Sequence, residues 1–113
     1  MYDDFPNDAD GDAIRRVAEA GHDLRSSMPV DFRILVADEN AARAIAIEAQ
    51  DRAFSAAIGP AETGGWQVIV TRSMLLRYWD VVQLQKDLND LAEPFEGYCD
   101  AWATVGNRGA AEE

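Results

Sequence analysis

Apolar and polar residues alternate with a period of two along Val30 to Ala37. Val30, Phe32, Ile34 and Val36 fall on one side, and Asp31, Arg33 and Leu35 on the other, the signature of a half-buried strand. Upstream, Ala13, Ile14, Val17 and Ala18 recur at helical spacing, which predicts a helix from about Asp10 to Ala20, capped by Asn7 or Asp8 and stopped by Gly21. Met28-Pro29 is read as a break before the strand. Asp38 then stands at an N-cap position, and Ala42, Ile45, Ala46 and Ala49 form the stripe of a second helix ending near Gln50 to Arg52.

Phe54 to Ile58 reads as a short strand. Gly59-Pro60 and Gly64-Gly65 bracket a loop before a stronger strand from Trp66 to Thr71, and the two are expected to form a hairpin. Ser73 is the expected cap of the longest helix, which runs to about Ala92 with Tyr78, Val81, Val82, Leu84, Leu88 and Leu91 on its apolar face. Glu93-Pro94 ends it, and Gly97 opens a last extended run from Tyr98 to Val105. After the leading helix the order is strand, helix, strand, strand, helix, strand. Right-handed crossovers then give a split βαβ sandwich with a four-stranded antiparallel sheet of order 4-1-3-2 and both crossover helices on one face.

The other face is left open by that arrangement. Strict alternation assigns to it Leu35, Ile69, Tyr98 and Trp102, with Asp31, Arg33, Gln67, Thr71, Asp100 and Thr104 around them. Cys99, Ala101, Ala103 and Val105 are assigned to the helix-covered side. Large rings on an uncovered face call for a cover, because each has roughly 150 to 250 Å² to bury. The leading helix, a second copy of the chain or a target protein can supply it.

Composition narrows the partner. The chain has 113 residues with 21 Asp and Glu against 10 Lys and Arg, a formal net charge of -11. Such a charge repels phosphate backbones and anionic lipid, so direct nucleic-acid and membrane binding are disfavoured and a basic protein surface is favoured. One globular domain is expected over residues 1–107 with a flexible tail over 108–113. No apolar run approaches the ~20 residues of a membrane span, and the acidic first residues carry neither a secretory nor a transit pattern. A cytoplasmic location is expected, in keeping with the single cysteine.

Candidate chemistry adds little. Asp8, Asp10, Gly11 and Asp12 resemble the opening of a calcium loop, but counting from Asp8 puts Ala13 where the turn glycine belongs and Glu19 at the bidentate position; helix capping explains the acids better. His22, the only histidine, has no cysteine or second histidine near it in sequence and reads as a turn residue. Cys99 reads as a small buried hydrophobe. Asp80, Asp87, Asp90 and Glu93 share an outward surface of the long helix, which solubilises it or faces a basic partner. The Trp66 to Thr71 strand lacks the motif by which open sheets stack RNA bases, and the glycines form no phosphate loop. The expectation is a non-enzymatic binding protein with no cofactor and no metal, the rivals being a homodimeric structural domain and a small hydrolase built on carboxylates or Cys99.

Several separated segments, Phe5-Pro6-Asn7-Asp8-Ala9-Asp10-Gly11-Asp12-Ala13, Gly21-His22-Asp23-Leu24, Asp31-Phe32 and Gly97-Tyr98-Cys99-Asp100-Ala101-Trp102, resemble in order the family named for the regulator of ribonuclease E activity, type B. The resemblance spans about residues 5–107. It implies a ferredoxin-like α+β sandwich and a protein inhibitor that binds ribonuclease E or its degradosome scaffold without cutting RNA. By position it marks Asp8, Gly11, Gly21, Asp23 and Gly97 as motif residues. Asp31, Arg33, Tyr98, Asp100 and Trp102 are the expected protein-binding set.

Overall fold

The structure, a computed structural model, describes residues 8–62 and 64–106. The candidate cap Asn7, the segment Phe5-Pro6 and the tail expected over 108–113 lie outside the described residues. The elements are α1 (Ala9–Glu19), β1 (Met28–Val36), α2 (Glu39–Asp51), β2 (Ser55–Pro60), β3 (Trp66–Met74), α3 (Tyr78–Ala92), a 3-10 turn (Glu93–Phe95) and β4 (Tyr98–Thr104). All strand pairs are antiparallel and the sheet order is β2-β3-β1-β4, the 4-1-3-2 arrangement of a ferredoxin-like sandwich with an added leading helix.

The alternation of β1 fixes the layers. Val30, Phe32, Ile34 and Val36 are buried, and they meet Val68 and Val70 of β3, Ile45 and Ala49 of α2, and Val81, Leu88 and Leu91 of α3 in one core cluster. Each large side chain taken fully out of water contributes on the order of 1.5 to 3 kcal/mol, so this stripe outweighs any local propensity. Ile14 of α1 is buried in the same cluster. The leading helix therefore lies on the side of α2 and α3, and the opposite face of the sheet is uncovered among the described residues.

Three boundaries differ from the sequence expectation. Gly59-Pro60, expected to open the loop, belongs to β2 instead, because Gly59 and Pro60 pair with Gln67 and Trp66 of β3. Ser73 does not cap α3. It lies within β3, which pairs with β1 without interruption from Val36↔Trp66 to Met28↔Met74, and α3 begins at Tyr78 after Arg77, with no side-chain cap bond. Pairing with β1 extends the strand through Ser73, and the helix starts one loop later. Likewise Met28-Pro29 is no break: β1 already runs through both. Pro29 lies beyond the last β4 pair, Val30↔Thr104, so β1 has only one strand neighbour there and a missing N–H is tolerated.

Gly97 sits where the chain enters β4. A Cβ at this position would lie 2.6 Å from Val36 Cγ1 and 2.7 Å from the Leu35 carbonyl oxygen. The second neighbour is backbone of the central strand and cannot swing aside. Gly97→Ala is expected to lower stability by about 1–3 kcal/mol in urea-denaturation experiments, through overpacking against β1.

Candidate functional site

The uncovered face is built in rows by strand register. Ser55, Thr71, Asp31 and Ala103 form one row, Ala57, Ile69, Arg33 and Ala101 the next, and Gly59, Gln67, Leu35 and Tyr98 the third. Directly paired residues share a face, so these rows define the surface without reference to side-chain detail.

The register of β4 shifts between Arg33 and Ile34. Ala101 opposes Arg33 and Cys99 opposes Ile34, which leaves Asp100 as one extra residue in β4, a β-bulge. An added residue reverses the alternation beyond it. Tyr98 and Asp100 stay on the open face as expected, but Trp102 opposes the buried Phe32 and Thr104 opposes the buried Val30, so both belong to the helix side. Ala101 and Ala103 take the open face instead. Val105 follows the strand and is exposed rather than covered. Cys99 does lie on the helix side, half-buried against the core.

Arg33 closes the bulge. Its Nε and Nη2 donate to the two carboxylate oxygens of Asp100 at 2.8 and 2.7 Å, a bidentate pair with 43% and 22% of the respective side chains exposed. The hydrogen bonds from Arg33 hold the Asp100 carboxyl below the usual carboxylate range, and Asp100 in turn raises Arg33. On the neighbouring row the Thr71 hydroxyl donates to Asp31 Oδ1 at 2.6 Å. Asp31, Arg33, Ile69, Ala101 and Ala103, with the margin of Trp102, line a shallow depression of about 360 Å³. Tyr98 is 54% exposed beside it.

Trp102 has a partner within the chain. Its Nε1–H donates to Asp10 Oδ1 at 2.9 Å, and Gln85 of α3 donates to Asp10 Oδ2 at 3.2 Å, so Asp10 ties α1 to β4 and α3 together. Nothing in the sequence links residues 10 and 102, so this role of Asp10 is invisible to motif and periodicity. Asp8 joins elements in a similar way. It accepts from the Gly11 N–H at 2.8 Å, capping α1, and from the Tyr78 hydroxyl at the start of α3. Those two bonds, the Tyr78 one foremost, lower the Asp8 carboxyl.

The other motif residues are architectural as well. Gly11 is buried on the inner side of α1. Gly21, at φ 96°, takes the left-handed conformation just after the helix end, where its N–H donates to the Ala18 carbonyl. Asp23 accepts from the Arg25 N–H at 2.9 Å and the Ser26 hydroxyl at 3.2 Å, folding the turn that leads to β1. The motif positions thus build the junction of α1, β1 and β4, while Asp31, Arg33, Tyr98 and Asp100 face outward from the sheet. Trp79, 73% exposed and edge-on to Tyr78 at 4.9 Å, escaped the sequence reading; the signal was an aromatic off the apolar stripe of α3.

Catalytic chemistry finds little support in these groups. Burial pushes the Cys99 thiol up to about 11, so it is protonated at neutral pH and a poor nucleophile. Among the described residues no three histidines, cysteines or carboxylates converge to hold a metal ion, and no helix is long and apolar enough to cross a membrane.

Trp102→Ala is expected to cost about 2–4 kcal/mol of stability by denaturant titration, since it opens the seam between α1 and β4, whereas Trp102→Phe keeps most of the packing and loses chiefly the bond to Asp10. The folded-state pKa of Asp100 is depressed, so its pairing stabilises the fold above the unfolded-state carboxylate pKa and that contribution is lost as pH falls through the lower folded value. Asp100→Asn should therefore melt below wild type at pH 7, with the gap closing as the pH drops beneath the ordinary carboxylate range.

A comparison with curated proteins returns no match. The model of the family described as regulator of ribonuclease activity B matches residues 7–104, a span that takes in α1, the whole sheet and the Arg33–Asp100 pair, and the chain belongs to this family.

Proposed function

We propose that this chain is a non-enzymatic protein that regulates a ribonuclease, ribonuclease E or its degradosome scaffold, by binding it through the open sheet face. The observation that carries the reading is that face itself: Tyr98 stands exposed beside a shallow depression, in a chain whose family regulates ribonuclease activity. Arg33 and Asp100 neutralise one another, so the surplus charge there comes from Asp31 and from Glu62, which lies close enough to act electrostatically on Arg33. A basic partner meets attraction at the rim and apolar contact over Leu35, Ile69 and Tyr98, the usual division of labour in an interface.

Trp102 has no direct contact role in this reading. It serves the face from behind by holding β4 against α1. The whole unit from residue 1 to 107 acts as one binding domain in a cytoplasmic setting, and the net charge of -11 opposes self-association as the way to cover the face.

Calorimetric titration against purified ribonuclease E tests this. Tyr98→Ala and Asp31→Asn are expected to weaken binding roughly five- to tenfold or more, Trp102→Phe to leave it near wild type, and higher salt to weaken it further. Wild-type affinity in folded Tyr98→Ala and Asp31→Asn variants would remove the open face from consideration.

A further inference from the structure

The two edges of the sheet are treated differently. Edge strands expose backbone N–H and C=O groups that can template another strand, and proteins guard them with charge, bulges, proline or covering elements. β4 is guarded twice over: Asp100 makes the bulge, and the Cys99 N–H donates to Asn89 Oδ1 of α3 at 2.7 Å. β2, Ser55–Pro60, carries no charged side chain and pairs with β3 in unbroken register from Ser55↔Thr71 to Pro60↔Trp66. Its far side has no strand neighbour among the described residues.

Pro60 bounds this edge at one end, since it has no N–H, leaving Ser55 to Gly59 as the pairing segment. Alternate residues of an edge strand direct their amide groups outward. The side chains are small as well: Ser55, Ala57 and Gly59 fall on the open face and Ala56 and Ile58 on the other, so large side chains of an added strand meet little obstruction. We infer that the β2 edge accepts an extended basic segment of a partner protein by strand addition, with main-chain hydrogen bonds supplying affinity.

Charge selects that occupant over a second copy. Glu48 and Asp51 are exposed at the end of α2 immediately before β2, and Glu62 is exposed just after it, against Arg52 alone on the exposed side. The nearby half-buried Arg72, its guanidinium 3.9 Å over the Phe54 ring and donating to the Arg52 carbonyl at 2.5 Å, adds a second positive charge, so the three carboxylates keep a small surplus over the two guanidinium groups. Pairing two β2 edges would bring two chains of charge -11 together at their acidic flanks. A lysine- or arginine-bearing strand meets the opposite balance. The inference shares with the proposed function the basic character of the partner and the charge of Glu62; it concerns the backbone of the β2 edge, which borders the open face.

Hydrogen exchange on the full chain tests it, with two probes: purified ribonuclease E, and a synthetic peptide of alternating lysine and valine. Protection of alternate amides within residues 55–59 by about tenfold or more, with either probe, supports strand addition. Protection by the peptide when the ribonuclease does not bind supports the edge and sinks the ribonuclease reading. Unchanged exchange at β2 under saturation with both probes overturns the inference, as does protection that appears on concentrating the chain alone, which would assign the edge to a second copy, or strong protection already present in the dilute chain alone, which would assign it to the chain's own segments. As a second arm, of Ala56→Pro and Ala57→Pro one deletes an N–H bonded to β3 and the other an outward N–H. The variant that keeps the wild-type melting temperature should lose the protected binding at least about tenfold, and full affinity in that variant would count against the edge.

Discussion

The alternation of β1 is the constraint on which the rest depends. This strand is flanked by β3 on one side and β4 on the other, and its inner residues Val30, Phe32, Ile34 and Val36 are all buried. A slip of one residue in its register would exchange those side chains with Asp31, Arg33 and Leu35, placing two charged groups in the core. The cost of that exchange fixes which side the helices occupy. It also fixes which side of the sheet the described residues leave uncovered.

One added residue in β4 then redistributes the outer surface. Strict alternation would spread Tyr98, Asp100, Trp102 and Thr104 along one face; the bulge at Asp100 keeps the first two there and turns the last two inward. Arg33 stabilises the irregularity from the neighbouring strand by taking both oxygens of the extra carboxylate. The indole is consequently spent within the molecule, where it fastens α1 through Asp10. A face that sequence reading populates with two large rings retains one, and two alanines open the depression beside it.

The same bulge bears on association. It interrupts β4 as a template for further pairing, and Asn89 occupies one of that strand's amides. Among the described residues β2 has no bulge or charge of this kind, and Pro60 guards only its end. In a chain with this surplus of acid, long-range repulsion opposes the approach of a second copy, and both the open face and the bare edge are without a cover among the described residues.

Much of the fold was legible in the chain. The period-two run of β1, the capping aspartates Asp8 and Asp38, the apolar stripe of α3 and the Gly-rich turn between β2 and β3 are local patterns, and each element formed close to where they point. The crossover rule carried these to the sheet order. The resemblance in the separated segments, Gly97 to Trp102 among them, pointed to the family that the match over residues 7–104 shows. What escaped depends on groups distant in sequence: the extension of β3 through Ser73, set by its pairing with β1; the bulge at Asp100, set by Arg33 67 residues away; and the capture of Trp102 by Asp10 across 92 residues. The sequence by itself determined which residues of β1 and of the helices must be buried, because there burial follows composition and an unbroken period. Only the tertiary structure decided which way the residues after Asp100 face, because an extra residue in one strand has meaning only against the register of its neighbour.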